Sequence, residues 1–170
     1  WQEGNRLKIK NTGHEEETLD LYSYVEFCFW NAESDGENFQ RNLSLGEVEV
    51  IGSAIYHKTE YRERRNHYAY YSVNTEIDGF DTQRDDFIGV YNGTGNPKAL
   101  AENTHYNSIA SGGAVIGSHH IKVTLAPGEE KSFIFLLGYN ENPMDDKWVS
   151  QDVIKKAGAE AAIARYQTDA

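Results

Sequence analysis

Residues 24–67 read YVEFCFWNAESDGENFQRNLSLGEVEVIGSAIYHKTEYRERRNH, and the changes of period along them decide the fold. The run that leads in, Thr18 to Trp30, alternates: Leu19, Leu21, Val25, Phe27 and Phe29 share one parity, and Asp20, Tyr22, Tyr24, Glu26 and Trp30 the other. Side chains of a strand point to opposite faces in turn, so this pattern predicts a strand with an apolar face toward a core and a polar-aromatic face opposite. Gly46 to Ile55 predicts a second strand, with Val48, Val50 and Ile55 as its apolar positions around Gly52. Tyr56 to His67 carries no apolar stripe. Taken as a strand, it places Thr59, Tyr61, Glu63, Arg65 and His67 on one face, and Lys58, Glu60, Arg62 and Arg64 on the other. Two readings compete there: cross-strand ion pairs in a sheet, or a forked-donor site for phosphate. The interleaved Glu60 and Glu63 neutralise much of the field and favour the first.

Outward from this stretch the chain continues as short strands and turns. Arg6–Asn11 alternates, Asn11-Thr12-Gly13 is a turn signal, and the segment through Phe27 reads as the return strand of a hairpin. Tyr68–Val73 is a strand by its aromatics. Ile77–Asp81 reads as a loop and Gly93–Pro97 as a turn that lacks the features of a phosphate loop. Asn107–Ser118, rich in glycine, predicts a bent or bulged strand. Ile121, Val123 and Leu125 alternate with Lys122 and Thr124. Ala126–Glu130 makes a turn, and Ser132–Tyr139 returns as a buried strand, a second hairpin. After Ser150 or Asp152, either able to cap a helix, Val153, Ile154, Ala157, Ala161 and Ala164 recur at helical spacing. The expected architecture is all-β, a mostly antiparallel β-sandwich over residues 1–149, followed by a carboxy-terminal helix over 150–170.

The 170 residues are enough for one domain, and the net charge of −11 with a pI near 4.9 argues against bulk electrostatic binding of nucleic acid or anionic membrane. No apolar run approaches the roughly 20 residues that a membrane helix needs. Cys28 is the only cysteine, so no internal disulfide forms; with no leader pattern at Trp1–Lys10, the expected location is the cytoplasm.

The richest candidate site is Asn31–Ser44, NAESDGENFQRNLS. Asn31, Asn38, Gln40 and Arg41 surround Phe39. Carboxamides and a guanidinium can pair with sugar hydroxyls, and an aromatic ring covers the C–H face of a pyranose. The same residue types also make ordinary turns. Asp78, Asp81, Asp85 and Asp86 do not match a calcium-loop spacing; a solvated loop, or pairing with Arg84, is expected. His119 and His120 are neighbours on a strand and face opposite ways, which disfavours a shared metal. No metal and no cofactor are expected.

Three segments carry a resemblance: WNAESDGENFQRNLSLGEVEV, IYHKTEYRERRNHYAYYSVN and IDGFDTQRDDFIGVYNG. They are similar to the amino-terminal domain of cellobiose phosphorylases, inverting glycoside phosphorylases of family ninety-four, and the similarity is dense from about Tyr22 to about Trp148. The resemblance implies a super-sandwich of the galactose-mutarotase-like kind, here its later part, joined by a helical linker to a helical barrel that holds the active site. It implies a homodimeric parent that converts cellobiose and inorganic phosphate, a co-substrate, to α-glucose 1-phosphate and glucose. In such enzymes a barrel aspartate is the acid, and a sandwich loop reaches the acceptor-sugar side of the partner's site. That role carries over to Asn31, Asn38, Gln40 and Arg41 in this chain, and no catalytic residue does. The family tends to show a bulky aromatic where Gly113 stands. A chitobiose phosphorylase domain and a non-catalytic carbohydrate-binding module are the alternatives.

Overall fold

The computed structural model describes residues 1–27, 45–59, 66–110, 114–148 and 155–168. Through them run β1 (Gln2–Lys10), β2 (Glu17–Tyr22), β3 (Val25–Glu26), β4 (Leu45–Ile51), β5 (Ala54–Thr59), β6 (His67–Val73), β7 (Gly79–Gln83), β8 (Val115–Leu125) and β9 (Glu130–Glu141). Two short helices, α1 (Arg84–Ile88) and α2 (Lys98–Ala101), a 3-10 turn at Met144–Trp148 and α3 (Ala157–Thr168) complete the elements. One sheet has the order β1-β9-β6-β5-β4; in the other, β8 pairs with β2, β3 and β7. Every ladder between named strands is antiparallel. The fold is an all-β sandwich, as expected.

The pairing differs from the expected one at both hairpins. β8 and β9 are joined by a short turn yet lie in different sheets, and so do β1 and β2. Each turn is therefore an arch from one sheet to the other. The reason lies in where the apolar side chains go. Ile121, Val123 and Leu125 of β8 meet Val73 and Phe133 across the sandwich, with Ile9, Leu21 and Phe135 packed against them. Folding β8 flat beside β9 would put these two apolar faces side by side instead of face to face, and the sandwich core would be lost.

Asn11 stitches the two arches together. Its N–H donates to the Glu129 carbonyl (2.9 Å) and its carbonyl accepts from Gly128 (2.9 Å). Its side-chain amide donates to the carbonyls of Glu15 (2.8 Å) and Leu125 (2.9 Å), and its Oδ1 accepts from Gly13 N–H (2.8 Å). Buried arch carbonyls need such partners, because an unpaired one costs about 1–3 kcal/mol.

Both outer faces are covered. Ala159, Ala162, Ile163 and Tyr166 of α3 pack on Ala54, Tyr56, Tyr68, Tyr70 and Leu136. These recur at i, i+3, i+4 and i+7, whereas the expected positions Ala157, Ala161 and Ala164 face solvent. The large side chains Ile163 and Tyr166 set the stripe, which alanine spacing does not reveal; Val153 and Ile154 lie outside the described residues. On the second sheet, Phe87, Ile88 and Ala99 of α1 and α2 cover Ile116, with Tyr22, Tyr24 and Tyr106 around them.

Several local expectations change. The run from Thr18 breaks after Tyr22 and resumes for two residues at Val25–Glu26. Ser23 stands in the break, where its Oγ takes the His119 N–H (2.9 Å). Leu19, expected inside, is 41% exposed, on the edge strand β2 of its sheet. Gly46–Ile55 is two strands turned at Gly52, whose φ of +57° suits glycine. Tyr56, His57 and Lys58 are buried on the inner strand β5, and residues 60–65 of the expected ion-pair run lie outside the described residues. Ile77–Asp81 ends inside β7, and β8 carries the expected bulge, since Asp81 pairs with Ser118 and Gln83 with Val115.

The stitch makes a stability prediction. Asn11→Ala removes three side-chain hydrogen bonds, two of them to arch carbonyls. It should lower the unfolding free energy by roughly 2–4 kcal/mol at about 1 kcal/mol per bond plus the buried Leu125 carbonyl. Equilibrium urea unfolding checks it; a change within about 0.5 kcal/mol, the range of an ordinary surface substitution, counts against the stitch.

Candidate functional site at one end of the sandwich

The strand directions gather particular chain positions at the end opposite the Asn11 stitch. Leu45 pairs with Thr59, and Phe27 N–H points to the Val115 carbonyl (3.5 Å). Asn142 N–H donates to the Asn66 carbonyl (2.8 Å), and its side-chain amide to the Lys155 carbonyl (3.4 Å). The residues flanking 28–44, 60–65, 111–113 and 149–154 thus all sit at this end. Asn31, Asn38, Gln40 and Arg41 lie outside the described residues, as do Cys28, Phe39, Arg62, Arg64, Arg65 and Gly113. Their tethers are described: the chain leaves β3 in one sheet at Phe27 and re-enters at Leu45 on β4, the edge of the other.

The exit at β3 is braced by a small polar cluster that spacing alone does not reveal. Glu26 Oε1 accepts from Tyr24 Oη (2.6 Å) and from Arg84 Nε (3.1 Å). Arg84 N–H donates to the Ala114 carbonyl (3.1 Å), so one residue ties the strand before 28–44 to the strand start after 111–113. The Tyr24 hydroxyl and then Arg84 hold the Glu26 carboxyl below its ordinary pKa. Burial, with the neighbouring Glu26, pushes Tyr24 up. Arg84 was expected to pair within the aspartate cluster. Its partner is Glu26 because α1 starts beside β3.

Asp81, expected in a solvated loop, is 1% exposed. Its carboxylate accepts from Ser108 Oγ (2.7 Å), Ser108 N–H (3.1 Å) and Tyr106 N–H (3.2 Å). Burial raises its pKa, and these bonds oppose the rise. Its oxygens are taken by the 106–108 backbone, so its role is to fix that segment to β7. Asp78 Oδ2 accepts from Lys122 N–H (2.6 Å).

His119 and His120 face opposite ways, as the strand period requires. His119 points into the core, stacks on Tyr71 at 4.8 Å between centroids and meets Ser23 Oγ through Nδ1 (3.0 Å). His57 is fully buried near Phe27, at 5.7 Å between centroids. Burial lowers His119 to about 4 and His57 to about 3. On the outer face, His120 Nε2 lies 2.7 Å from Asp20 Oδ1, its Nδ1 lies 2.7 Å from His105 Nδ1, and its ring stacks on Tyr22 at 4.4 Å. His105 and Asp20 join this group only through tertiary structure. No group of three or more His, Cys, Asp or Glu able to hold a metal occurs among the described residues.

Two clefts accompany these features. Tyr22, Tyr24, Phe87, Ile88, Thr94, Pro97 and Leu100 line an apolar cleft of about 200 Å³ beside the β3 cluster. Gly52, Ser53, Asn74, Thr75, Glu76, Ile77 and Gln167 line a more polar one of about 500 Å³ on the stitch side of the sandwich. Among the described residues no helix is long and apolar enough to cross a membrane.

The buried histidines set an acid limit on stability. Their folded pKa lies below the ordinary 6.5, so the unfolded chain takes up protons that the folded chain refuses. Stability is full above about 6.5 and falls as the pH drops toward 4 for His119 and 3 for His57, each adding a slope of up to about 1.4 kcal/mol per pH unit. His119→Gln should flatten the slope by about one proton between pH 6.5 and about 5, above the carboxylate range. Unfolding free energies across that window check it, and an unchanged slope refutes it.

Comparison with known proteins agrees with this architecture. The family described as glycosyl hydrolase 94, supersandwich domain, matches residues 2–169. An N,N'-diacetylchitobiose phosphorylase of Vibrio proteolyticus is 34% identical over 160 residues, 93% of this chain and 20% of that protein. One of Vibrio furnissii is 32% identical over 133 residues, 78% of this chain and 17% of that protein. The chain therefore spans about a fifth of the length of the curated relatives it matches. With that match running over nearly its whole length, on a two-sheet antiparallel sandwich, the chain belongs to the glycosyl hydrolase 94 family as its supersandwich domain.

Proposed function

We propose that this chain is the non-catalytic sandwich part of an inverting disaccharide phosphorylase, and that its disaccharide is cellobiose. The family match over residues 2–169, together with relatives named as phosphorylases, supports the phosphorylase reading. Cellobiose rests on the three quoted segments, whose motifs resemble cellobiose phosphorylases. The two Vibrio relatives favour a second substrate, N,N'-diacetylchitobiose. Phosphate-dependent cleavage of the two disaccharides by the whole protein that carries this chain separates the readings. Cellobiose is expected to be cleaved faster, and a preference for N,N'-diacetylchitobiose transfers the assignment to the second reading.

The chemistry belongs to the part of the enzyme outside this chain. In the family resembled, a barrel aspartate protonates the departing oxygen while phosphate attacks the opposite face. Within the described residues, the most buried carboxylate, Asp81, is occupied by Ser108 and Tyr106. The chain alone is therefore expected to show no phosphorolysis and no synthesis from glucose 1-phosphate and glucose. Turnover proportional to the concentration of this chain would count against that assignment.

The chain's own contribution is the 28–44 segment, tethered at the end of the sandwich where its neighbours Phe27 and Leu45 lie. Asn31, Asn38, Gln40 and Arg41 are proposed to meet the acceptor sugar of the partner subunit in a homodimer. Hydrogen bonds from a charged donor are worth about 1.5–3 kcal/mol and from neutral groups about 0.5–1.5. Arg41→Ala in the whole enzyme should thus lose roughly tenfold or more in acceptor efficiency, at about 1.4 kcal/mol per decade, with apparent phosphate affinity nearly unchanged. Asn38→Ala should lose less. Steady-state synthesis kinetics measure both; unchanged acceptor kinetics with the dimer intact would reduce the segment to a turn.

A further inference from the structure

The two-residue strand β3 is held to its sheet by few main-chain bonds. Val25 and Glu26 pair with Gly117 and Ile116, and the next amide, Phe27 N–H, stands 3.5 Å from the Val115 carbonyl, at the long limit of a hydrogen bond. The other root of the 28–44 segment, Leu45, lies on the edge strand β4, where the register with β5 slips between Leu45 and Val48. Side chains supply what these short ladders lack. Glu26 Oε1 accepts from both Tyr24 Oη (2.6 Å) and Arg84 Nε (3.1 Å). Arg84 opens α1 and stands on a firm base, since Phe87 and Ile88 of that helix are buried and the Tyr24 ring stacks on Phe87 at 5.4 Å between centroids. Tyr24, Glu26, Arg84 and Phe87 thus close a loop of contacts where the chain leaves β3.

We propose that Arg84 is a positioning residue for acceptor recognition, acting through Glu26 to fix the root of the 28–44 segment. The inference rests on the acceptor-side reading of Asn31, Asn38, Gln40 and Arg41. The Arg84 and Glu26 side chains are 31% and 56% exposed, so their ion pair adds little to global stability. What it constrains is local. A guanidinium N–H points in a fixed direction within a rigid plane, so the bond sets where the Glu26 carboxylate sits, which attraction to a point charge would not do. Arg84 N–H donates to the Ala114 carbonyl (3.1 Å), so the same residue also fixes the strand start after 111–113. A displaced root shifts the side chains carried beyond it, and a misplacement of about 1 Å from a supporting residue is felt in recognition and rate.

The test is steady-state synthesis by the whole protein that carries this chain, with glucose and glucose 1-phosphate or, should that be the pair turned over, N-acetylglucosamine and its 1-phosphate. Arg84→Gln is expected to raise KM for the acceptor roughly two- to fivefold, the worth of a partly exposed ion pair, with kcat, KM for the sugar phosphate and the urea midpoint nearly unchanged. Glu26→Gln should do the same, and the double variant no more than either single one, because both remove one bond. Exchanging the pair, Arg84→Glu with Glu26→Arg, should recover most of the loss. An unchanged acceptor KM in Arg84→Gln overturns the proposal. So does an equal rise for both substrates, or additive losses in the double variant, since either marks general loosening. Arg41→Ala separates the brace from the reading beneath it: if Arg41→Ala weakens acceptor use and Arg84→Gln does not, the brace alone falls, and if Arg41→Ala is silent, both fall.

Discussion

One buried carboxamide joins the two halves of this sandwich. Among the described residues the sheets share no ladder, so main-chain pairing does not set their relative position there; contact between apolar faces does, and such contact is poorly directional. Asn11 supplies the direction. It bonds to both strands' ends and to both arches, and thereby aligns β1 with β9 and β2 with β8 at one edge of the core. From that edge each strand runs out in register, so the positions of Phe27, Leu45, Thr59 and Asn66 at the far end follow from it. The sugar-facing role proposed for the 28–44 segment is a consequence of where these strands are pinned.

The strands were legible and their partners were not. Alternation marks a strand because the side-chain period is a local property. A short polar turn between two alternating runs fits a hairpin and an arch equally well, since both bury every second residue. Only the side-chain volumes across the sandwich distinguish them, and those come from residues as far apart as Leu21 and Phe133. The same limit explains Lys58, Asp81 and Arg84. Their charge suggested solvent, whereas β5 is central in its sheet, Asp81 is surrounded by the 106–108 backbone, and Arg84 meets Glu26 from an element distant in sequence.

For the candidate site the balance is different. Amide-rich composition and family-like motifs singled out Asn31, Asn38, Gln40 and Arg41, and the described structure contributes the common end at which their segment is rooted. Asp20, His105 and His120 went unread as a group because nothing in sequence spacing brings positions 20, 105 and 120 together. The second face of the run from Thr18 is polar-aromatic in the sequence, and nothing local shows what lies over it. Its Tyr22 and Tyr24 pack against α1 and α2, with their hydroxyls tied to Asn103 and Glu26.

α3 is as much a layer of the sandwich as any strand. Its residues close over Tyr56, Tyr68 and Tyr70, and the half-buried Lys156 just before it reaches Glu49 Oε2 (2.5 Å) on β4 while lying 5.4 Å from the Tyr56 ring centre. The segment that would be drawn as the first piece of a connector is thus cemented to the sheet. Swapping segments between related members of the family at the sheet's last residue, Glu141, would strip the tyrosine face bare and carry its cover away with the other partner. A crossover beyond Thr168 keeps cover and face from the same ancestor, and recombination between relatives is expected to tolerate junctions there and reject those between Glu141 and Thr168.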